Sequence, residues 1–276
     1  SLGRSMIMAG QAFPCIRSSV SHQNGTIRLC EYFYALPTTS CSAYTHESNI
    51  MEELFSDPAV GDFPVSLHLA MIRDKVRMKA FHQALKASIR PGDTVVDIGT
   101  GTGVLAILAA RCGAGKVVGF DRSDIIREAR RIKAQNCPDA PITFHARDIL
   151  TDELPNVRAD VLVCELLGNF GIDENMIEVL SVARKRLLKP GGQIIPQDMQ
   201  LRMAPVQCTQ AYKEAVSWRR REWGIDFSAL QNRAHHCVYH LSSEWVRALA
   251  APGVLSHLEF ANVERLEKHS SLNFEF

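Results

Sequence analysis

The sequence predicts an α/β protein built on a doubly wound parallel sheet, followed by a smaller, mostly β module. Three observations carry that prediction. Apolar runs alternate with helix-period segments between Thr94 and Ile195. A glycine-rich turn joins the first of these runs to the first helix after it, and beyond Met199 the helical period gives way to short strand-like runs. Parallel strands need crossover helices, so strict alternation argues for a sheet covered on both faces.

Taken in order, residues 1–45 form an irregular arm, and Asn49 to Leu54 has helical spacing. From Ser66 to Ser88, Leu67, Ala70, Met71, Val76, Ala80, Phe81 and Leu85 fall three to five residues apart, which predicts one helix stopped by Pro91-Gly92. Thr94 to Ile98, Lys116 to Phe120, Ile142 to His145, Asp160 to Cys164 and Gln193 to Ile195 read as strands. Val104 to Cys112, Ser123 to Asn136 and Glu174 to Leu188 read as the helices between them. Gln200 to Val206, Cys237 to Leu241, Val254 to Phe260 and Ser271 to Phe276 read as strands of the second module, with a helix at Thr209 to Trp218. The domain division is an arm at 1–45, a main domain at 46–198 and a partial β-barrel-like module at 199–276.

With 276 residues, 46% hydrophobic and 22% charged, the chain is long and apolar enough to bury a large core, which excludes disorder throughout. Its net charge of +1 supplies no global field toward nucleic acid or an anionic membrane. Eight cysteines with no C-x-x-C argue against zinc and for free thiols in a reducing compartment, so a cytoplasmic location is expected. The most apolar stretch, Val104 to Phe120, is interrupted by Arg111 and Lys116, so no membrane span is expected. Residues 1–45 hold three Arg, one Glu and seven Ser without an amphipathic period, which fits a mobile or substrate-covering arm better than a transit peptide.

The sharpest local signal is Val95-Val96-Asp97-Ile98-Gly99-Thr100-Gly101-Thr102-Gly103, a strand entering a glycine turn that opens a helix. A dinucleotide fingerprint would need glycine where Val104 stands, and the acid here precedes the glycines, so NAD is disfavoured. Asp121 closes the next strand, twenty-four residues after Asp97, where a carboxylate can accept both hydroxyls of a ribose. Asp148 follows the third strand; it can meet an adenine amine or cap the short segment that starts there. Together these positions resemble the class I S-adenosylmethionine-dependent methyltransferases, with their Rossmann-like sheet.

After the fourth strand, Cys164-Glu165-Leu166-Leu167-Gly168-Asn169-Phe170-Gly171-Ile172-Asp173-Glu174-Asn175-Met176 carries two glutamates nine residues apart. If Gly168 and Gly171 fold the loop back, two carboxylates share one pocket, which suits a guanidinium or another amine between them. Read alone, Glu174 serves equally well at the start of a helix and Glu165 as a solvated loop acid. The loop resembles the double-glutamate loop of protein arginine N-methyltransferases. Upstream, His68-Leu69-Ala70-Met71-Ile72-Arg73-Asp74-Lys75-Val76-Arg77 is similar to that family's His-x-x-Met-x-x-Asp-x-x-Arg helix. Downstream, Leu188 to Pro196 is similar to the strand after its substrate loop, and Trp218 to Leu230 to its dimerisation arm.

The resemblance implies a set of roles. Glu165 and Glu174 hold the acceptor nitrogen. Arg77 meets the carboxylate of S-adenosyl-L-methionine, whose product is S-adenosyl-L-homocysteine, and Met71 lines the site, packing with Met176 around the reacting methyl. Asp97, Gly99, Thr100, Gly101 and Gly103 surround the methionine and ribose, Asp121 and Arg122 the ribose, and Asp148 and Ile149 the adenine; Glu165 also borders the cofactor. Asp74 takes the place of the acid that pairs with a histidine of the family's Thr-His-Trp segment. The sequence reaches Phe276 before that segment, so either the barrel is truncated here or another histidine, such as His240 or His257, takes its place. The tyrosine-rich helix before the His-x-x-Met stretch has no counterpart either, because Glu31-Tyr32-Phe33-Tyr34 lies too far upstream.

The implied partners are a protein or peptide arginine, or a small amine or guanidine, and a second copy of the chain in a homodimer. A small-molecule methyltransferase and a catalytically silent cofactor-binding homologue are the alternative readings. Arg219-Arg220-Arg221 is too short a run to predict a nucleic-acid partner.

Overall fold

Asp74 shapes the start of the main domain. Helices α1 (Val65–Arg73) and α2 (Lys75–Ser88) are separate, where the apolar period predicts one helix. The chain turns because the Asp74 carboxylate accepts the backbone N–H groups of Val76 and Arg77, both at 3.0 Å, and so caps α2. An apolar period cannot register this break, since both helices present apolar residues on either side of it. The capped turn directs Arg77, Ala80, Phe81, Ala84 and Leu85 inward as one buried face of α2. The computed structural model describes residues 8–10, 28–34, 65–168, 174–235, 238–240 and 246–265.

Beyond Pro91-Gly92 the predicted alternation is present. The strands are β3 (Thr94–Ile98), β4 (Lys116–Asp121), β5 (Ile142–Ala146), β6 (Ala159–Cys164) and β7 (Leu188–Ile195). Between them run α3 (Val104–Arg111), α4 (Ile126–Asn136) and α5 (Met176–Leu187). All four pairings of this sheet are parallel, in the order β5-β4-β3-β6-β7. The chain proceeds outward from β3 through β4 to β5, then returns to the other side of β3 with β6 and β7. The sheet's order therefore reverses between β3 and β6, and the crevice at their carboxyl ends is where open α/β sheets bind ligands. The central strands are nearly continuous apolar runs because both faces are covered; Val95, Val96, Val117, Phe120, Leu162 and Val163 are all buried.

Several boundaries differ from the sequence expectation. Helix α4 begins three residues after Ser123, because the Asp121 carboxylate holds Ser123 in a turn. Helix α5 begins at Met176 rather than Glu174. The run expected from Gln200 to Val206 is two strands, β8 (Asp198–Met203) and β9 (Val206–Gln207), separated by Ala204-Pro205. Two strands, β1 (Met8–Gly10) and β2 (Arg28–Tyr34), fall inside the arm expected to be irregular. The expected elements at Asn49–Leu54 and Ser271–Phe276 lie outside the described residues.

In the second module β8 is paired on both sides, parallel to β2 and antiparallel to the strand Gly253–Glu259. Met199, Leu201 and Met203 are buried on β8, with half-buried Gln200 and Arg202 alternating between them. Helix α6 (Thr209–Ser217) leads to a hairpin of β10 (Arg221–Glu222) and β11 (Ile225–Asp226), whose turn residues Trp223 and Gly224 both have positive φ. Arg184 of α5 fastens the end of this module to the main domain. Its Nη1 donates to the carbonyls of Phe260 at 2.7 Å and Val263 at 3.2 Å, and its Nη2 pairs with Glu264.

Leu162, fully buried at the middle of the sheet, and Leu230, exposed after the hairpin, give a direct contrast. Leu162→Ala is expected to lower the unfolding free energy by about 2–5 kcal/mol, and Leu230→Ala to change it by less than about 0.5 kcal/mol. Urea denaturation followed by circular dichroism measures both; equal effects would contradict this placement of the core.

Candidate active site

The turn after β3 and the loop after β6 meet at the reversal of strand order. At Gly99, φ is +67°, and a Cβ would lie 2.5 Å from Leu166 Cδ2. A side chain there would separate the glycine turn from the residue that follows Glu165. At Gly101, φ is +52°, and a Cβ would lie 3.0 Å from the His68 ring. The two glycines thus let the backbone approach both walls of the crevice. The resulting cleft is lined by His68, Met71, Arg77, Gly99, Gly101 and Glu165, among others.

Arg77 lines this cleft beside Glu165 and is only 6% exposed. Its Nη1 donates to Glu165 Oε1 at 3.0 Å, and its Nε stands 3.6 Å from Asp74 Oδ2, beyond hydrogen-bond distance. That Nε is buried without a hydrogen-bond partner. Burial pushes the Glu165 carboxyl up to about 7; the Arg77 guanidinium pulls it back, while Glu174, Asp74 and Asp97 push it further up. Glu174 is exposed just before α5.

Asp97 lies beneath the turn, 1% exposed. Its Oδ2 accepts the Thr100 hydroxyl at 2.6 Å, and the Ala106 backbone also donates toward this carboxylate. Burial pushes this carboxyl up to about 7, against the opposing hydrogen bond from Thr100. Asp121 is oriented by three donors: the Gly101 N–H on Oδ2 at 2.8 Å, and the Ser123 N–H and hydroxyl on Oδ1 at 2.9 and 2.7 Å. Oδ2, with one donor, keeps acceptor capacity for a ligand hydroxyl, whereas Oδ1 already accepts two bonds.

The remaining predicted positions divide. Met71 is half-buried at the cleft, whereas Met176 is fully buried in the hydrophobic core. Asp148 organises its own turn, accepting the Leu150 N–H at 2.8 Å while its N–H donates to Asp152. Ile149 is buried in the core and Arg122 is exposed. Asp74 supports Arg77 from behind as the α2 cap. Of the histidines expected to replace the Thr-His-Trp histidine, His257 lies against Asp198 at 3.4 Å, so it is not the partner of Asp74; the side chain of His240 is outside the described residues. His68 received no role from the sequence, yet it walls the cleft beside Gly101. Burial lowers its pKa, with Asp121 acting in the opposite direction. Its signal was the three-residue spacing to Met71, which places both on one face of α1. Among the described residues no group of three or more His, Cys, Asp or Glu is placed to hold a metal ion, and no helix is long and apolar enough to cross a membrane.

Comparison with known proteins gives the following. The family model described as ribosomal protein L11 methyltransferase (PrmA) matches residues 79–226. The chain is 34% identical over 217 residues to the probable protein arginine N-methyltransferase 6 of Arabidopsis thaliana, covering 75% of this chain and 48% of that protein. It is 30% identical over 170 residues to protein arginine N-methyltransferase 1 of Dictyostelium discoideum, covering 61% and 50%. It therefore spans about half the length of these curated relatives. In fold it is similar to the Trypanosoma brucei PRMT1 enzyme-prozyme heterotetrameric complex with AdoHcy, with a TM-score of 0.65 and 24% identity over 72% of this chain and 63% of that one. It is also similar to Arabidopsis thaliana protein arginine methyltransferase 10, with a TM-score of 0.59, the same identity and the same coverage.

Asp97 yields a pH prediction. Between its ordinary value of 3.8 and about 7, the folded chain holds more protons at this residue than the unfolded chain. Its contribution therefore lowers stability progressively as pH rises through that window, and the loss is complete above about 7. Asp97→Asn removes the titration. Urea unfolding of both proteins at pH 5 and pH 8 is expected to show the variant gaining on the parent at the higher pH; a difference independent of pH would refute the buried neutral carboxyl.

Proposed function

The chain belongs to the family described as ribosomal protein L11 methyltransferase (PrmA), among the class I S-adenosylmethionine-dependent methyltransferases, and from that premise we propose that it is an N-methyltransferase of the arginine-methyltransferase type. The observation that carries the proposal is the pair of glutamates at the strand-order reversal: Glu165, buried against Arg77, with Glu174 acting on it electrostatically. A site with two carboxylates beside a single arginine favours a cationic guest.

The residues present fit S-adenosyl-L-methionine. Arg77 lines the cleft, and the two glycines whose Cβ positions are already occupied by neighbours leave a close backbone approach for a ligand. Arg77 would hold its carboxylate, Gly99 to Gly103 its amino-acid and ribose portions, and Asp121 a ribose hydroxyl, with Arg122 alongside and Asp148 and Ile149 toward the adenine. The bound cofactor supplies a methyl group made electrophilic by a sulfonium. Glu165 and Glu174 hold and orient the acceptor nitrogen and stabilise the positive charge that grows on it. Asp74 keeps Arg77 in place.

The acceptor is a protein or peptide arginine in this reading, with a small guanidine or amine as the alternative outcome. The exposed hairpin, with Trp223 97% and Ile225 56% exposed, supports assembly into a homodimer. The free cysteines Cys112, Cys137, Cys164 and Cys208 fit a reducing, cytoplasmic setting.

Transfer from methyl-labelled S-adenosylmethionine into a fractionated lysate tests the function. Label is expected in methylarginine after acid hydrolysis and is expected to be lost in both Glu165→Gln and Glu174→Gln. Label confined to small molecules selects the alternative acceptor, label indifferent to both substitutions refutes the carboxylate pair, and cofactor binding without transfer identifies a silent homologue. Asp121→Ala should weaken S-adenosylhomocysteine binding about 10- to 150-fold, as loss of a charge-assisted hydrogen bond does. Because Glu165 titrates at about 7 and must be ionised to hold a cation, kcat/KM is expected to rise as pH increases through that value; a profile flat from pH 6 to 8 would contradict the assignment. Light scattering at micromolar concentration tests the dimer, and a monomer there would remove it.

A further inference from the structure

We propose that Ser123 is a positioning residue that restricts Asp121 to a single hydroxyl of the ligand's ribose, so that the carboxylate reads one of the two neighbouring hydroxyls and ignores the other. The proposal rests on the S-adenosylmethionine reading above and deepens it. A free carboxylate at the end of β4 can accept both hydroxyls; this one has most of its acceptor positions already taken.

An ionised carboxylate offers about four acceptor positions, two on each oxygen. On Asp121, Oδ1 takes the Ser123 N–H at 2.9 Å and the Ser123 hydroxyl at 2.7 Å, which fills it. Oδ2 takes the Gly101 N–H at 2.8 Å and keeps one position. The two oxygens also meet different parts of the fold. Gly101 lines the cleft, so Oδ2 is the oxygen bonded to the cleft wall. Ser123 belongs to the turn before α4, so Oδ1 is turned toward the start of that helix. The vacant position and the cleft therefore coincide at Oδ2.

This orientation is held from both ends. The Thr100 N–H donates to the Phe120 carbonyl at 2.9 Å, so the glycine turn is tied to β4 at the residue before Asp121 as well as through Gly101. Ser123 binds Oδ1 with its backbone and its side chain, and both residues are half-buried. Rotating the carboxylate breaks bonds to an ionised acceptor on both oxygens, and such bonds are the stronger ones. The Ser123 hydroxyl decides the count. Without it, the N–H alone leaves Oδ1 one open position, and a second ligand hydroxyl can then be accepted.

The test is calorimetric titration of the full chain with S-adenosylhomocysteine and with its 2′-deoxy and 3′-deoxy forms. In the parent, one deoxy form is expected to bind about tenfold or more weaker than S-adenosylhomocysteine, as loss of a charge-assisted hydrogen bond does, and the other within about twofold of it. In Ser123→Ala, readout should extend to the second hydroxyl, so that the deoxy form the parent tolerates becomes about fivefold or more weaker than S-adenosylhomocysteine. Ser123→Thr keeps a hydroxyl and should restore the parent's ratio. A merely structural effect of either substitution moves all three affinities together and leaves the ratios unchanged. Affinity lost with both deoxy forms in the parent, or with neither, overturns the single-hydroxyl readout. A ratio in Ser123→Ala equal to the parent's overturns the role of Ser123. If the parent binds none of the three ligands, the S-adenosylmethionine reading itself falls.

Discussion

A guanidinium and a carboxylate, both withdrawn from water, meet where α2 passes the end of β6, and the site is arranged around that meeting. Removing one member of such a pair leaves an uncompensated buried charge, typically at a cost of about 3–5 kcal/mol, although the intact pair adds little net stability over an apolar substitute. Its value is positional. Arg77 can reach Glu165 only because Asp74 ends one helix and starts the next, and Glu165 stands at the crevice only because β6 lies beside β3. The capped turn, the sheet order and the glycine backbone therefore share one geometric requirement. Leu166 adds to it by packing against Gly99, so that the residue after Glu165 touches the turn that follows β3.

The parallel sheet was legible because its strands are buried on both faces and its helices on one, which writes two different periods into the chain. The glycine turn was legible because backbone with positive φ at a close approach selects against every side chain. Asp74 shows where that legibility ends. A residue that caps a helix and one that faces solvent look alike in an apolar period, and only the backbone geometry distinguishes them. Asp148 shows the same ambiguity, since an acid after a strand can bind a ligand or close its own turn, and here it makes the turn's hydrogen bonds. His68 escaped because a half-buried histidine on an amphipathic helix carries no local mark of what stands opposite, and Gly101 is thirty-three positions away.

Met176 illustrates another limit. It stands two places after Glu174, but the start of α5 rotates it into the core while Glu174 remains outside. Sequence distance along a loop gives proximity, whereas the side chosen depends on the first turn of the helix, where Asn175 adopts positive φ. In the second module, strands of two or three residues are set by partners far away in the chain, so local pattern says little about them. The ties from Arg184 and Lys185 to Glu264 lie seventy-nine to eighty positions apart and have no local signature at all.

The parallel pairing of β2 with β8 also bears on how the chain is made. Arg28 lies opposite Asp198, so β2 leaves the ribosome about 170 residues before its partner exists. At synthesis rates of about 5–20 residues per second, that interval is roughly ten to thirty seconds. Strands β3 to β6 can pair in that time, because they are contiguous in the chain, and β7 follows them just before β8. Until β8 emerges, β2 has an open ladder of backbone donors and acceptors, the feature that recruits foreign strands. Biogenesis of this protein thus has a natural order: the centre of the parallel sheet first, and the pairing of β2 with β8 last.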